Sequence, residues 1–422
     1  MKNIITVAKF AGNAKKTVIG VVAEYDPFHN GHALHLTKAR DIAGTAPVVV
    51  VLSSSFTQRG LPALTDKMAR AKMALANGAS LVLELPFVHA CSSGQKFARG
   101  AVSILAATQL VTHIAFGAED ADAFSLTKTS ELLNILIQEP LSFKTDLKKK
   151  LADGCSYPKA LALALESELP GSWDMVSSPN NALAISYLTE IKKNGYPLIP
   201  IAVQREGSAH NDETPGFLPG SITSASAIRK ALSGCGSAWV SGAVPPSVLD
   251  ILDDEREKGR LYLSDGKLWD LFRGLLARSA PQDLENCVGM EEGLENLFLK
   301  HYARADSYED FLGRCVCARY TRNRLRRQTI YCLAGLSASS CFSGEPPYIR
   351  VLGYDCAGRE LLRERRKIDD AVPVITRLAA ANDISAAARK MSELEFRASR
   401  LRELFLPKPD LTREEKLIPV QG

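Results

Sequence analysis

Long apolar runs are missing from this chain. None approaches the ~20 residues that a bilayer-spanning helix needs, which excludes a helical membrane protein. Residues Met1 to Lys16 hold lysines but no extended apolar core and no clear cleavage site. No secretory leader is expected there, and the segment reads as a short extension ahead of the first strand. Paired CxxC motifs are absent too. The nine cysteines are odd in number and scattered, which excludes a disulfide framework and predicts a reduced, cytoplasmic protein. Cys315 and Cys317, two apart, would not face one another on a helix and read as packing thiols. There is no internal repeat and no low-complexity tract. Charge of one sign is in slight excess only, at a net +5, so its distribution says more than its sum.

What is present is an ordinary globular composition, 46% hydrophobic and 23% charged over 422 residues, enough for two or three domains. The early chain alternates strand and helix patterns. Buried strands are expected at Val18–Ala23, Pro47–Leu52, Leu81–Leu85, His113–Phe116 and Leu198–Val203. Between them lie helices from Thr65 or Asp66 to about Asn77, with Gly78 as the stop, from Gly94 to Thr108, and from about Ala123 to Gln138. Residues 141–193 read as helical, broken near 171–179, and Ser224 opens another helix. This order predicts an α/β fold: a Rossmann-like, mostly parallel sheet with helices on both faces, binding its ligand beyond the carboxyl ends of the strands. The division read from the pattern is an extension at 1–17, a catalytic domain at 18–243 and a mainly helical, basic region at 244–422, interrupted by a β-type run at Tyr348–Gly353.

The first strand ends in a turn at Tyr25, Asp26 and Pro27, and His29-Asn30-Gly31-His32 then stands at the start of a helix. A helix N-terminus presents free N–H groups and partial positive charge to phosphate. Glycine admits a ligand close to the backbone. Two imidazoles can donate to phosphate oxygens as charge develops. Strand, turn, His-x-Gly-His and helix together suit nucleotidyl transfer. Packing and metal binding are the alternatives. The i, i+3, i+6 spacing of His29, His32 and His35 argues against zinc, because residues six apart point to different sides of a helix. No metal ligand is therefore assigned, and His35 is expected to pack or to line the rim.

Several further motifs keep the same order along the chain: Val22 to His35, Ser54-Ser-Phe-Thr-Gln-Arg-Gly60, Lys72-Met-Ala-Leu75, Glu84-Leu-Pro86, Phe116-Gly-Ala-Glu119, Ser178-Pro-Asn-Asn181, Gln204-Arg205, Ile222-Thr-Ser-Ala-Ser-Ala-Ile-Arg229 and Pro347-Tyr-Ile-Arg-Val-Leu-Gly353. Together they resemble the bacterial tRNA(Met) cytidine acetate ligases of the nucleotidyltransferase superfamily. The resemblance implies that acetate and ATP form acetyl-adenylate and pyrophosphate. The wobble cytidine of elongator tRNA(Met) then takes the acetyl group and AMP leaves. It implies an ATP-binding segment of Val22, Ala23, Glu24, Tyr25, Asp26, Pro27, Phe28, His29, Asn30, Gly31, His32, Ala33, Leu34 and His35, with His29 and His32 catalytic. Gly117, Asn180 and Arg205 match further ATP-contact positions, and Ser224, Ser226 and Arg229 the second phosphate motif. Read alone, Ser178–Asn181 is also a turn and helix cap, and Ser224 a plain N-cap. Gln58, Arg59 and Lys67 are candidates to reach ATP or RNA. Magnesium on the ATP phosphates is expected from phosphoryl chemistry. Asp26 stands where the family commonly has asparagine, adding a negative charge near phosphate, and residues 141–173 match the family less clearly.

Arg314, Arg319, Arg322, Arg324, Arg326 and Arg327 crowd one expected helix, with Tyr320 and Tyr331 among them. Such a run is a solvated helix face or a phosphate-binding face. The resemblance favours tRNA, with Arg319, Arg322, Arg324, Arg326 and Arg327 as the contacts. Arg359, Arg363, Arg365, Arg366 and Lys367 form a second cluster, partly offset by Glu360, Glu364, Asp369 and Asp370. A small-molecule adenylyltransferase and a non-catalytic RNA-binding protein remain the competing readings.

Overall fold

The computed structural model describes residues 4–6, 16–42, 44, 46–119, 126–205, 220–234, 236–337 and 345–422. Nine strands form the sheet among these residues: β1 Ile4–Thr6, β2 Ile19–Ala23, β3 Val48–Ser53, β4 Leu81–Leu85, β5 His113–Ala118, β6 Ile199–Gln204, β7 Ile349–Tyr354, β8 Val374–Ile375 and β9 Val420–Gln421. Their order is β1-β6-β5-β2-β3-β4-β7-β8, with β9 beside β7. The five strands β2 to β6 run parallel. β3 is Val-Val-Val-Val-Leu-Ser, buried along its whole length, as a central parallel strand covered on both faces requires. The chain order reverses at β2: β3 and β4 lie to one side of it, β5 and β6 to the other. A crevice opens at such a switch point.

The helices used below are α1 Asn30–Ile42, α2 Lys67–Ala76, α3 Gly94–Ala107, α4 Pro179–Asn194, α5 Ala225–Gly234, α6 Arg322–Ala334 and α7 Ala386–Leu404. Leu36 and Ala39 of α1, Met73 and Ala74 of α2, and Ile228 and Leu232 of α5 pack on one sheet face. Ala101 and Leu105 of α3 and Tyr187 of α4 cover the other. Asp66 caps α2 by accepting from Ala69 N at 2.7 Å, as its residue type predicts. The helix expected at Ala123–Gln138 forms over Leu126–Gln138, and residues 120–125 fall outside the described set.

Four strands lie where the sequence reading placed none or placed them apart; of these the short β8 and β9 each pair with β7. Ile4–Thr6, within the expected extension, pairs antiparallel with β6. β7, within the mainly helical half, adds antiparallel to β4 and so joins the same sheet. A separate apolar cluster around Trp269, Phe272, Phe298 and Phe311 holds the later helices together.

Buried ionic groups fasten the late chain to the early chain. Lys67 is 2% exposed and meets Glu84 at 2.5 Å, Glu395 at 2.9 Å and Glu414 at 3.0 Å. Arg350 meets Glu84 at 3.1 Å and Glu414 at 2.5 Å. Arg402 donates to the carbonyls of Ala63, Leu64 and Arg260 at 2.9 to 3.1 Å, and Arg413 pairs with Asp66. The reading of Lys67 as an ATP or RNA contact is thereby corrected. Three carboxylates enclose its ammonium, and an isolated cation would not tolerate such burial. The Glu84 and Arg350 motifs belong to the same weld.

Candidate active site

The loop between β2 and α1 folds tightly over the switch point. Tyr25 takes a left-handed φ of +47°. Asp26 is buried and accepts from Leu64 N at 2.6 Å, while its other carboxylate oxygen pairs with Arg229. Its negative charge is thus matched within the protein and serves to tie α5 to the loop. Asn30 donates to Ser221 O at 3.0 Å and Gly242 O at 2.9 Å, which fixes the start of α1 against the segments flanking α5.

His29 and His32 stack with ring centroids 3.6 Å apart. Tyr25 meets the His32 ring edge-on at 4.9 Å, and fully buried Phe28 lies 5.5 Å from it. Gly31 N donates to His29 Nδ1 at 3.1 Å, and His29 N to His32 Nδ1 at 3.3 Å. A ring nitrogen that accepts carries no proton, so each neutral imidazole bears its proton on Nε2. Both rings therefore present an Nε2–H donor. Gly31 keeps the turn close-packed: a Cβ would stand 3.0 Å from His29 Cε1 and press the ring out of place. Burial pushes His29 down to about 3, with the Arg205 charge adding to the effect. Burial and the neighbouring rings hold His32 well below the usual range. His35 is pushed to about 4 by burial, Arg205 and Lys38. Its Nε2 is buried without a hydrogen-bond partner among the described residues.

On the β5 side of β2, Arg205 follows the end of β6 and crosses Gly117, where an added Cβ would meet Arg205 Cγ at 3.2 Å. Glu119 organises the neighbouring loop. Its carboxylate accepts from Asn180 Nδ2 at 2.5 Å and from Ser178 Oγ, and its N–H donates to Asn181 Oδ1 at 3.0 Å. Burial opposes its charge, but these bonds and Arg205 hold its carboxyl below the usual range. Asn181 is buried and also donates to Asp174 O at 3.0 Å, a structural part. The Arg205 charge reaches His29, while Asn180 is engaged with Glu119. Sequence reading quoted Glu119 in a motif but gave it no role; its place one residue beyond a strand end was the available signal. Ser224 caps α5 through Ala227 N at 3.3 Å and lies 3.1 Å from Ser226 Oγ.

On the β3 side, Gln58 N donates to Glu24 Oε1 at 2.7 Å, and Arg327 Nη1 to Gln58 O at 3.0 Å. Arg70 clamps the strand ends, donating to Glu24 O at 2.8 Å and Ser53 O at 2.9 Å. Gly60 has φ +75°, and a Cβ there would fall 2.3 Å from Arg327 N, so this loop lies directly on α6.

The arginine run divides between two helices. Arg314 ends the helix Tyr308–Cys315, Arg319 sits in the exposed connection, and α6 begins at Arg322. Arg322 and Arg326 share Glu309, Arg326 at 2.8 Å, and Arg324 reaches Glu292 at 3.5 Å. The tyrosines are no stacking platform. Tyr320 is buried, with Arg324 over its ring at 5.1 Å, and Tyr331 Oη donates to Cys91 O at 2.5 Å. In the second cluster, Arg365 is buried on the carbonyls of Ala107 and Val372.

The histidine pKa values set a pH dependence of stability. Unfolded imidazoles titrate near 6.5 and the folded rings of His29 and His35 at about 3 and 4. Above pH 6.5 these rings are neutral in both states and stability is at its full value. As pH falls from 6.5, the unfolded chain binds protons that the folded chain refuses. Stability then drops by on the order of 1 kcal/mol per pH unit for each ring, levelling off below the folded values. Urea unfolding at pH 7 and pH 5 measures the drop, and H29N/H32N shows a shallower one. An equal slope in wild type and variant contradicts it.

A parallel sheet whose switch point carries a loop, a His-x-Gly-His helix start and an opposing arginine defines an α/β nucleotidyltransferase. The family described as HIGH Nucleotidyl Transferase matches residues 16–416. The tRNA(Met) cytidine acetate ligase of Caldicellulosiruptor saccharolyticus is 37% identical over 388 residues, covering 91% of this chain and 93% of that protein. The ligase of the same name from Clostridium perfringens is 33% identical over 414 residues, covering 96% and 99%. The crystal structure of apo Thermotoga maritima TmcAL gives a TM-score of 0.87 at 29% identity, covering 96% of this chain and 99% of that one. A second, bound with alpha-thio ATP, gives 0.85 with coverage of 96% and 100%. This chain belongs to the tRNA(Met) cytidine acetate ligase family.

Proposed function

We propose that this chain ligates acetate to the N4 amine of the cytidine at wobble position 34 of elongator tRNA(Met). An acetate oxygen attacks the α-phosphorus of ATP and the bond to the β-phosphate oxygen breaks. Acetyl-adenylate and pyrophosphate result. The N4 amine then takes the acetyl group and AMP departs. One observation carries this reading: the stacked imidazoles, each held as an Nε2–H donor at the N-terminus of α1. Activating a carboxylate at phosphorus needs no side-chain nucleophile. It needs fixed donors where charge gathers on the α-phosphate and the leaving pyrophosphate.

In this reading Val22 to His35 hold the nucleotide, with Gly117, Asn180 and Arg205 on its adenosine side and Ser224, Ser226 and Arg229 near the phosphates. Arg229 would do so from its seat on Asp26. Among the described residues no group of three His, Cys, Asp or Glu side chains forms a metal cradle. Magnesium is proposed to arrive on the phosphates of ATP. Residues 244–422 supply the tRNA-binding region, with Arg319, Arg322, Arg324, Arg326 and Arg327 toward phosphate. The setting is cytoplasmic, where tRNA and ATP meet; no helix among the described residues is long and apolar enough to cross a membrane. Arg319 is exposed, so R319A weakens tRNA binding and lowers the salt slope of log Kd by about one. An unchanged slope removes Arg319 from the interface.

The deciding experiment incubates the purified chain with ATP, labelled acetate and unmodified elongator tRNA(Met), then resolves the tRNA nucleosides by mass spectrometry. Labelled N4-acetylcytidine supports the proposal. Adenylyl transfer to a small phosphorylated substrate without any acetylated base overturns it.

A further inference from the structure

The two half-reactions ask different things of the site. Acetate attacks phosphorus as an anion and releases no proton. The N4 amine attacks the carbonyl carbon of acetyl-adenylate and must lose a proton as the bond between that carbon and the phosphate oxygen breaks. The stacked histidines cannot take it. Each Nδ1 already accepts a main-chain N–H, and each Nε2 already carries a proton.

Glu24 is placed to take it. It follows the last residue of β2 directly, at the strand about which the chain order reverses. On the nucleotide side, Arg205, one residue past β6, lies against Gly117 near the end of β5. The loop on its other side, through Gln58, is bonded to Arg327 of the arginine-rich α6. Glu24 thus stands between the expected adenylate and the expected RNA face. Only Oε1 is engaged, by Gln58 N at 2.7 Å; Oε2 has no hydrogen-bond partner among the described residues.

We propose, resting on the function argued above, that Glu24 is the general base of the acetyl-transfer step, receiving the N4 proton on Oε2 and passing it to solvent as AMP leaves. Its environment fits the task. Burial, with Asp26 on the same loop adding to it, raises its carboxyl to about 7 against the opposing pull of Gln58 N–H, Arg59 and Arg70 of α2. Cys91 and Tyr187 of α4, whose own ionisation Glu24 disfavours, face it without a charge of their own. A base with a pKa near the working pH transfers protons most effectively.

The test separates the half-reactions in E24Q, which keeps an oxygen for Gln58 N. Acetate-dependent ATP–pyrophosphate exchange reports activation; single-turnover transfer to a tRNA(Met) transcript reports acetylation. Transfer falls ~10²-fold or more relative to exchange. Wild-type transfer rises with pH through a pKa near 7, and this limb is missing in E24Q. E24D, a shorter carboxylate, keeps the limb at a lower rate. Equal losses in both half-reactions, a limb that persists in E24Q, or transfer at the wild-type rate overturns the proposal and leaves Glu24 a structural or nucleotide-binding group. If wild type neither exchanges nor acetylates, the ligase function itself fails and the role of Glu24 falls with it.

Discussion

Replacing His32 with alanine lowers acetate-dependent ATP–pyrophosphate exchange by about 10²–10³-fold, the loss expected when one preorganised donor to a developing oxyanion is removed. The ring contributes in two ways. Its Nε2–H is one donor, and its face lies 3.6 Å from His29, so its removal also frees the second donor to wander. H29A/H32A is therefore scarcely worse than either single change, as for groups that act as one unit. H32Q carries an amide N–H to roughly the same distance along the side chain and retains more activity than H32A. Fold is checked by thermal unfolding, because His32 also contacts Tyr25 and Phe28. Exchange in H32A within a few-fold of wild type would remove the imidazole pair from the chemistry.

The second large effect is on stability. Lys67→Met leaves Glu84, Glu395 and Glu414 with Arg350 as their remaining buried cation in the network. Breaking a buried ion pair from one side costs about 3–5 kcal/mol. Glu395 already resists ionisation: burial, with Glu84 and Glu414 beside it, raises its carboxyl to about 7 against the pull of Lys67. Losing Lys67 removes that pull, so K67M is most destabilised at alkaline pH, where Glu395 must ionise. Adding E414Q to K67M deletes one stranded charge and recovers part of the loss. Urea unfolding of the single and double variants measures both effects. A K67M chain as stable as wild type, or a double variant losing the sum of its parts, contradicts the account.

The parallel core was legible before the structure because its signals are local. A Val-Val-Val-Val run declares a buried strand, Asp66 declares a cap, and His29-Asn30-Gly31-His32 after a strand declares an anion-binding helix start. Val22 to Arg229 supplied a connected series of site candidates; the fold stacks His29 on His32 at the start of α1 and lays Arg205, just past β6, over Gly117 of β5. Three misreadings share one cause. Lys67 looked like a free cation near a glycine loop; its partners are 17, 328 and 347 residues away along the chain. Tyr320 and Tyr331 stand among the arginines in sequence as if part of one exposed face, yet one is core and the other is bonded to Cys91. The six arginines looked like one helical face; the break at Val316–Thr321 divides them.

By itself, then, the sequence determined the strand and helix periods, the helix starts and the chemical kind of the phosphate-facing loop. These depend on residues within a few positions of one another. Which charges are spent on internal partners and which carboxylate keeps an unengaged oxygen were decided only by the tertiary structure. Burial and long-range pairing govern ionisation, and no stretch of sequence carries its own dielectric surroundings.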